Sequence, residues 1–110
     1  CKRSDALRAV AAIAGFDRTR GADCQGPVAA WLAHDRDDDA VPIARGQAAR
    51  DVLRKQNGCS TETKPEADDC VRYQGCAAGY PVVWCETQGL GHNIRGDYAP
   101  AAVWAFFNAL

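Results

Sequence analysis

The stretch VAAWLA at residues 28–33, followed by HDRDDD at residues 34–39, decides the fold. Six apolar residues without polar alternation are typical of a parallel strand covered on both faces, and the abrupt change to charged residues marks its end. Residues 8–14, RAVAAIA, form a similar run that Gly15 closes, and they predict a second buried strand, although their alanine content also fits a helix. Two strands of this kind indicate an α/β protein.

Two helices are predicted from residues that recur at helical spacing. The first follows Pro42 and ends before Gly58, because glycine is a common helix stop. Its inward stripe is expected to contain Ala44, Ala48, Val52 and Gln56, with Ala49 and Leu53 beside them. The second helix closes the chain, and Pro100 is acceptable in its first turn. Its inward stripe is expected to contain Ala99, Ala102, Val103, Phe106, Phe107 and Leu110.

The remaining segments predict two surface loops and two further strands. Residues 17–26 and 60–69 are polar or rich in glycine and charge, which is typical of solvated loops. Residues 71–73 and 82–86 are β-prone and flank a connection that contains two glycines and a proline. The predicted fold class is therefore α/β, with a mostly parallel sheet flanked by helices.

Composition limits the classes of partner. The chain has 110 residues, of which 47% are hydrophobic and 25% charged, and this composition is typical of one globular domain. Its formal net charge is -1, and no basic stripe is present, so neither a nucleic acid nor an anionic membrane surface is expected as a partner. No apolar run, residues 9–14 included, approaches the roughly 20 residues of a membrane-spanning helix. No leader precedes residue 1, so a signal peptide is expected to be removed or to lie outside these residues.

The cysteines form an even set and predict three disulfides, hence a secreted, extracellular protein. They are Cys1, Cys24, Cys59, Cys70, Cys76 and Cys85. A hairpin that joins residues 71–74 with 81–84 would place Cys70 opposite Cys85. No metal or other cofactor is expected: the cysteine spacings do not suit zinc, and the calcium-like spacing of Asp35, Asp37 and Asp39 lacks the required glycine and glutamate.

Two strand ends carry side chains that could do chemistry. Asp37, Asp38 and Asp39 follow the strand at residues 28–33, and His92 follows residues 82–86 in a glycine-rich segment. Because functional groups gather beyond the carboxyl ends of parallel strands, a carboxylate and an imidazole are expected to meet there. A histidine held by a carboxylate acts as a general base near neutral pH. A solvated acidic turn and an exposed loop histidine are the alternatives.

The chain also resembles a known family along its whole length. The matching segments are AAWLAH at residues 29–34 with Asp38 and VP at 41–42, NGC at 57–59, YQGCAAGYPVVWC at 73–85, and GH at 91–92. On these segments it resembles secreted carboxylesterases of the polyhydroxybutyrate depolymerase and feruloyl esterase type. The resemblance implies an α/β-hydrolase fold, in which the acid precedes the histidine along the chain. The chain departs from the family pattern at Asp35, where the family usually has glycine, and at Arg95, where it usually has proline.

This resemblance assigns roles to two residues and implies a substrate. It makes Asp38 the acid and His92 the histidine of a Ser-His-Asp triad in a serine esterase. The implied substrate is an ester on plant cell-wall polysaccharide, which would place the protein in carbohydrate degradation. Feruloyl, acetyl and hydroxybutyrate esters all stay open at this point, and no cofactor is implied. In the family Cys59 and Cys76 recur together, which implies their pairing, and Cys1 with Cys24 then follows by elimination.

The nucleophile of such a triad is not present in these residues. No G-x-S-x-G occurs, and Ser4 and Ser60 are the only serines. Residues 1–5, CKRSD, resemble the end of the helix that follows the nucleophile, so the serine is expected upstream of residue 1. Residues 1–110 are therefore expected to be the C-terminal portion of a single catalytic domain, inactive without the missing N-terminal part.

A non-catalytic secreted domain that binds carbohydrate or protein is the alternative function. Tyr73, Tyr80 and Trp84 could supply a face on which sugars stack. An upstream G-x-S-x-G in the natural protein would favour the esterase, and its absence would favour the binding domain.

Overall fold

The computed structural model describes residues 2–110 and contains a five-stranded mixed sheet with two helices. In chain order the elements are β1 (Ala9–Ile13), β2 (Ala29–Asp35), α1 (Ile43–Gln56), β3 (Thr63–Pro65), β4 (Cys70–Tyr73), β5 (Val82–Thr87) and α2 (Ala99–Asn108). The strand order is β1-β2-β5-β4-β3. β1, β2 and β5 are parallel, whereas β4 and β3 are antiparallel to their neighbours. The predicted α/β class is confirmed, but the sheet is mixed because a hairpin extends its parallel part.

β2 is the strand around which the core forms. All seven of its residues are buried, as its unbroken apolar run predicts. Successive side chains of a strand point to opposite faces, so Trp31 packs in the cluster that contains α2, and Leu32 packs in the cluster that contains α1. The two helices therefore cover opposite faces of the sheet.

Disulfides fix the hairpin side of the sheet. Cys70 and Cys85 are register partners in β4 and β5 and form a disulfide, as the hairpin predicts. Cys59 and Cys76 form a second one. The pairing of Cys1 with Cys24 involves a residue outside the described part of the chain and stays a prediction. Two disulfides fit a protein of an oxidising compartment.

Helix α1 is present where predicted, but a different face of it meets the sheet. Gly46 and Leu53 are its buried residues, whereas Ala44 and Ala48 of the predicted inward stripe are exposed. A β-carbon on Gly46 would lie 2.3 Å from the His34 Nδ1 atom, so only glycine permits this contact. The face of α1 that meets the sheet is therefore the one that contains Gly46. The apolar pattern missed this face because glycine adds no apolar side chain to it.

Asn57, directly after α1, joins the helix to the starts of two strands. Its side-chain amide donates to the Val28 and Tyr80 carbonyls at 2.8 Å each, and its oxygen accepts the Val28 N–H at 3.1 Å. Gly58 follows with φ +70°, which confirms it as the helix stop. These buried bonds fix where β2 begins relative to α1.

Three other elements differ in detail from their predictions. β3 lies within the segment predicted as a loop, and its three residues are all exposed. Helix α2 buries Ala99 and Phe106 as expected, but Phe107 is 38% exposed. β1 was expected to be covered on both faces, yet within residues 2–110 it pairs with β2 alone and exposes Ala11 and Ala12. Among the same residues, no helix combines the length and apolarity needed to cross a bilayer.

Candidate active site

Two parallel strands end side by side, and the loops that follow them form the candidate site. Asp35 ends β2, Thr87 ends β5, and these two residues are register partners. Asp38 lies three residues beyond the first strand and His92 five residues beyond the second. The topology thus brings together two residues that are separated by more than fifty positions in sequence.

His92 and Asp38 are hydrogen-bonded, which confirms the contact expected between these loops. The His92 Nδ1 atom lies 3.0 Å from Oδ2 and 3.2 Å from Oδ1 of Asp38. The Asp38 side chain is fully buried, whereas that of His92 is 49% exposed. With the proton placed on Nδ1 to satisfy this bond, the imidazole donates to the carboxylate and leaves Nε2 free to accept a proton.

The Asp38 carboxylate is held in place by the main chain of its own loop. Its Oδ1 atom accepts the N–H groups of Ala40 at 3.0 Å and Val41 at 2.7 Å. Burial by itself raises the pKa of Asp38, but the hydrogen bonds from Val41 and His92 outweigh it and hold this pKa below its usual value. Asp38 is therefore ionised near neutral pH, as a group that stabilises an imidazolium must be.

A second histidine, His34, contacts the same carboxylate from the interior of the protein. It is 1% exposed, and its Nε2 atom lies 2.8 Å from the Val41 carbonyl and 3.3 Å from Asp38 Oδ2. Helix α1 approaches it closely at Gly46. No motif in the sequence gave His34 a role. The signal that could have found it is its position at the end of a buried strand, four residues before Asp38.

Asp37 and Asp39, the neighbours of Asp38, are both exposed. The Oδ2 atom of Asp37 accepts the N–H of Gly89 at 2.8 Å, so Asp37 also contacts the loop that carries His92. Of the three aspartates, Asp38 therefore binds His92, Asp37 binds the loop that carries His92, and Asp39 makes neither contact.

Asp35 is a buried carboxylate for which the sequence offered two observations, a calcium-like spacing that fails in detail and a departure from the family pattern. It is fully buried and accepts the Thr87 hydroxyl at 2.7 Å and the N–H groups of Leu90 and Gly91 at 3.1 and 3.2 Å. Burial alone raises the pKa of Asp35, but the hydroxyl and three backbone N–H groups lower it to about 2. Within residues 2–110 no group of three or more His, Cys, Asp or Glu side chains is placed to hold a metal ion.

The surroundings of His92 are open and partly apolar. Leu90 is 45% exposed and Ile94 is 78% exposed, and they lie two residues before and after His92. A cavity of about 850 Å³ between α1 and the loop after β1 does not include His92 or Asp38 in its lining. This cavity is therefore separate from the His92–Asp38 pair.

The residues of the alternative sugar-binding face do not form a common exposed surface. Trp84 is 4% exposed, and its indole N–H donates to Glu86 at 3.0 Å. Tyr73 packs against the core cluster that contains α1. These aromatic side chains serve the core in this structure.

Neither serine of the chain is placed as a partner of His92. The Ser60 hydroxyl donates to the Gln74 carbonyl at 3.2 Å, beside the hairpin. Ser4 lies next to Gly26 in the loop before β2. Among residues 2–110, the site therefore holds an acid and a base without a hydroxyl nucleophile bonded to the base.

Comparison with known proteins finds similarity to an esterase. No family model matches the chain. The chain is 33% identical over 121 aligned positions to feruloyl esterase D of Neurospora crassa, and the alignment covers 98% of this chain and 41% of that protein. It thus spans about two fifths of the length of the curated relative that it matches. The similarity to that esterase extends along almost all of this chain.

Proposed function

We propose that these residues are the part of a secreted serine carboxylesterase that carries the acid and the histidine of a Ser-His-Asp triad. The observation that carries this proposal is the 3.0 Å contact between His92 Nδ1 and a fully buried, ionised Asp38 at the ends of two adjacent parallel strands. The order of acid and histidine along the chain is that of the α/β-hydrolase fold, which we propose for the complete domain. The similarity to a feruloyl esterase supports the same class.

In this proposal His92 moves one proton in each half of the reaction. A serine of the full-length protein attacks the ester carbonyl, and its hydroxyl proton passes to His92 Nε2 as the new Oγ–acyl bond forms. The imidazolium then gives the proton to the leaving alcohol as the ester C–O bond breaks. In the second half, water attacks the acyl-enzyme and gives a proton to His92 Nε2. The Oγ–acyl bond then breaks, the acid is released, and His92 returns the proton to the serine oxygen. Asp38 fixes the ring orientation and stabilises the imidazolium in both halves.

The serine and the oxyanion donors belong to the part of the domain that we place before residue 1. β1 supports this placement, because its outer edge has no strand partner within residues 2–110 and two of its five side chains are exposed. Strand edges in folded proteins are normally protected by charge, proline, a bulge or a covering segment, and β1, with the sequence AVAAI, has neither charge nor proline. We propose that a further strand of the full-length protein pairs with β1 and leads to the nucleophile.

The proposed substrate is an ester of a hydroxycinnamic acid of the feruloyl type on plant cell-wall polysaccharide. The name of the relative supports the acyl group. Exposed Leu90 and Ile94 beside His92 offer apolar contacts for an aromatic acyl group. The disulfides support an extracellular location, where such polysaccharides are found.

Hydrolysis of methyl ferulate and p-nitrophenyl acetate by the full-length natural protein tests this proposal. His92→Ala should abolish hydrolysis of both esters and leave the melting temperature close to that of the unsubstituted protein, because His92 is half exposed. Gln88→Ala is the matched control, because Gln88 is exposed in the same loop. Full activity of His92→Ala, or no activity in the unsubstituted protein on either ester, would contradict the proposal and favour a binding domain.

A further inference from the structure

Three buried polar residues, Asp35, Thr87 and Arg95, form a connected group beneath the loop that carries His92. We refer to them as the anchor cluster. They are exposed by 0%, 9% and 1% respectively. Burial of two charged side chains and a hydroxyl in one place is unfavourable unless each is hydrogen-bonded, so their contacts identify what the cluster does.

Thr87 is the central member of the anchor cluster. Its hydroxyl donates to Asp35 Oδ2 at 2.7 Å and accepts from the Arg95 Nη2 and Nε atoms at 2.9 and 3.2 Å. One hydroxyl therefore joins a carboxylate to a guanidinium, and the two charged groups lie 3.8 Å apart. Asp35 is ionised at neutral pH, since its pKa is about 2, so the cluster is a compensated ion pair.

The remaining hydrogen bonds of the cluster go to the main chain around His92. Asp35 accepts the N–H groups of Leu90 and Gly91, immediately before the histidine. The Arg95 guanidinium donates to the carbonyl of Asn93, immediately after it. The backbone is thus fixed on both sides of an imidazole that is itself half exposed.

The cluster also reaches the loop of the acid. Asp35 Oδ1 accepts the N–H of Asp37 at 2.9 Å, one residue before Asp38. A single buried carboxylate therefore binds the main chain next to both members of the His92–Asp38 pair. Arg95 has φ +53°, a left-handed conformation that is uncommon for a non-glycine residue, and its N–H donates to the Asn93 side-chain oxygen at 2.7 Å.

We propose that the anchor cluster is a positioning device that sets the His92 imidazole against Asp38 for ester hydrolysis, an inference that rests on the function proposed above. Its members do not touch the substrate, and they act through the loop that they hold. Small displacements of a catalytic base reduce the rate of the chemical step more than they reduce substrate binding. Loss of the cluster should therefore lower kcat and leave KM nearly unchanged.

Substitutions at Thr87 test this inference, because two of them differ in the hydroxyl group. In the full-length natural protein, Thr87→Val keeps the shape of the side chain but removes the hydroxyl, and kcat for p-nitrophenyl acetate should fall roughly 10- to 100-fold. Thr87→Ser keeps the hydroxyl and should restore kcat to near that of the unsubstituted protein. KM should stay nearly constant in both, and melting temperatures measured in parallel should show that both variants are folded.

Assays of His92→Ala in the same series separate the two proposals. If His92→Ala is inactive but Thr87→Val keeps full kcat, the positioning role is wrong and the proposed function stands. The positioning role is also wrong if Thr87→Ser loses as much activity as Thr87→Val while both remain folded. If Thr87→Val fails to fold, Arg95→Lys is the second variant, because it keeps the positive charge beside Asp35 and loses the paired contact with the Thr87 hydroxyl. It should show the fall in kcat without a rise in KM, and an unchanged kcat would overturn the inference.

Discussion

Among single residues, Asp35 has the most unusual electrostatics, because its carboxyl group is fully buried and yet strongly acidic. Its pKa in the folded protein is about 2, which lies below its ordinary value because four hydrogen bonds outweigh burial. A depressed pKa means that the ionised form stabilises the fold, and that this contribution is present above the pKa of the unfolded chain. The contribution is lost as the pH falls through about 4 toward about 2.

Asp35→Asn should therefore destabilise the full-length protein near neutral pH, by about 3–5 kcal/mol if Arg95 is left buried without its counter-charge. The difference in free energy of unfolding between the two proteins should shrink as the pH is lowered from about 4 to about 2. Denaturant unfolding at a series of pH values measures this difference. Asp39→Asn, an exposed neighbour, should show little difference at any pH, and a constant difference for Asp35→Asn would contradict the assignment.

The sequence predicts the contact between Asp38 and His92, but it does not predict the hydrogen bonds of the residues around them. Asp38 and His92 can be found because each follows a buried strand and each belongs to a recognisable motif. The bond from Asp37 to Gly89 and the anchor cluster depend on how two loops pack, and no local pattern reports that packing. Arg95 was noticed only as a departure from the family pattern, and its contact with Thr87 became visible once β5 was placed beside β2.

At the scale of elements, the contact of α1 with the sheet depends on one glycine. Gly46→Ala should raise helix propensity by about 1 kcal/mol, but its methyl group would overlap His34, and overpacking of a core costs about 1–3 kcal/mol. We therefore expect a net loss of stability and a fall in kcat, since His34 contacts Asp38. Thermal unfolding and ester hydrolysis of the full-length variant measure both effects.

Gly96→Ala is the control for this substitution, because a β-carbon at Gly96 would meet no atom within 4 Å. It should leave stability and activity nearly unchanged. A Gly46→Ala variant that is more stable than the unsubstituted protein would show that α1 is not packed against His34 as described.

Most elements follow from apolar patterns, and the exceptions have physical reasons. β3 was missed because its residues, Thr63 to Pro65, are exposed and polar, and it is a strand only through its pairing with β4. The inward face of α1 was misplaced because small residues such as Gly46 add little to an apolar pattern even where they determine a contact. The hairpin register was predictable because Cys70 and Cys85 flank two β-prone runs.

At the scale of the whole molecule, the described residues leave both edges of the sheet unpaired: the short, exposed β3 and the apolar β1. β1 consists of five small or apolar residues, AVAAI, and such an edge promotes association. The 110-residue chain expressed alone should therefore self-associate or unfold without cooperativity, whereas the full-length protein should unfold cooperatively as a monomer. Analytical ultracentrifugation and thermal unfolding of the two proteins compare these states. A monomeric, cooperatively folded 110-residue chain would contradict the proposed missing strand.

For the whole molecule, the sequence predicts the elements and the place of the site but not the nucleophile or the substrate pocket. Periodicity predicts strands and helices, and strand ends predict where the site lies. The nucleophile and the substrate pocket cannot be derived in this way, because no serine of the chain is bonded to His92 within residues 2–110. Their assignment depends on similarity to a protein of which this chain spans about two fifths.

The central claim is that Asp38, rather than either adjacent aspartate, is the acid of a catalytic pair with His92. The most direct test is kcat for methyl ferulate in the full-length protein with Asp37, Asp38 or Asp39 each replaced by Asn. Asp38→Asn should lower kcat by roughly 10⁴-fold, as the corresponding change does in serine proteases. Asp39→Asn should leave kcat unchanged, and Asp37→Asn should lower it only slightly, since asparagine keeps an acceptor for Gly89. A greater loss in Asp37→Asn or Asp39→Asn than in Asp38→Asn would contradict the account.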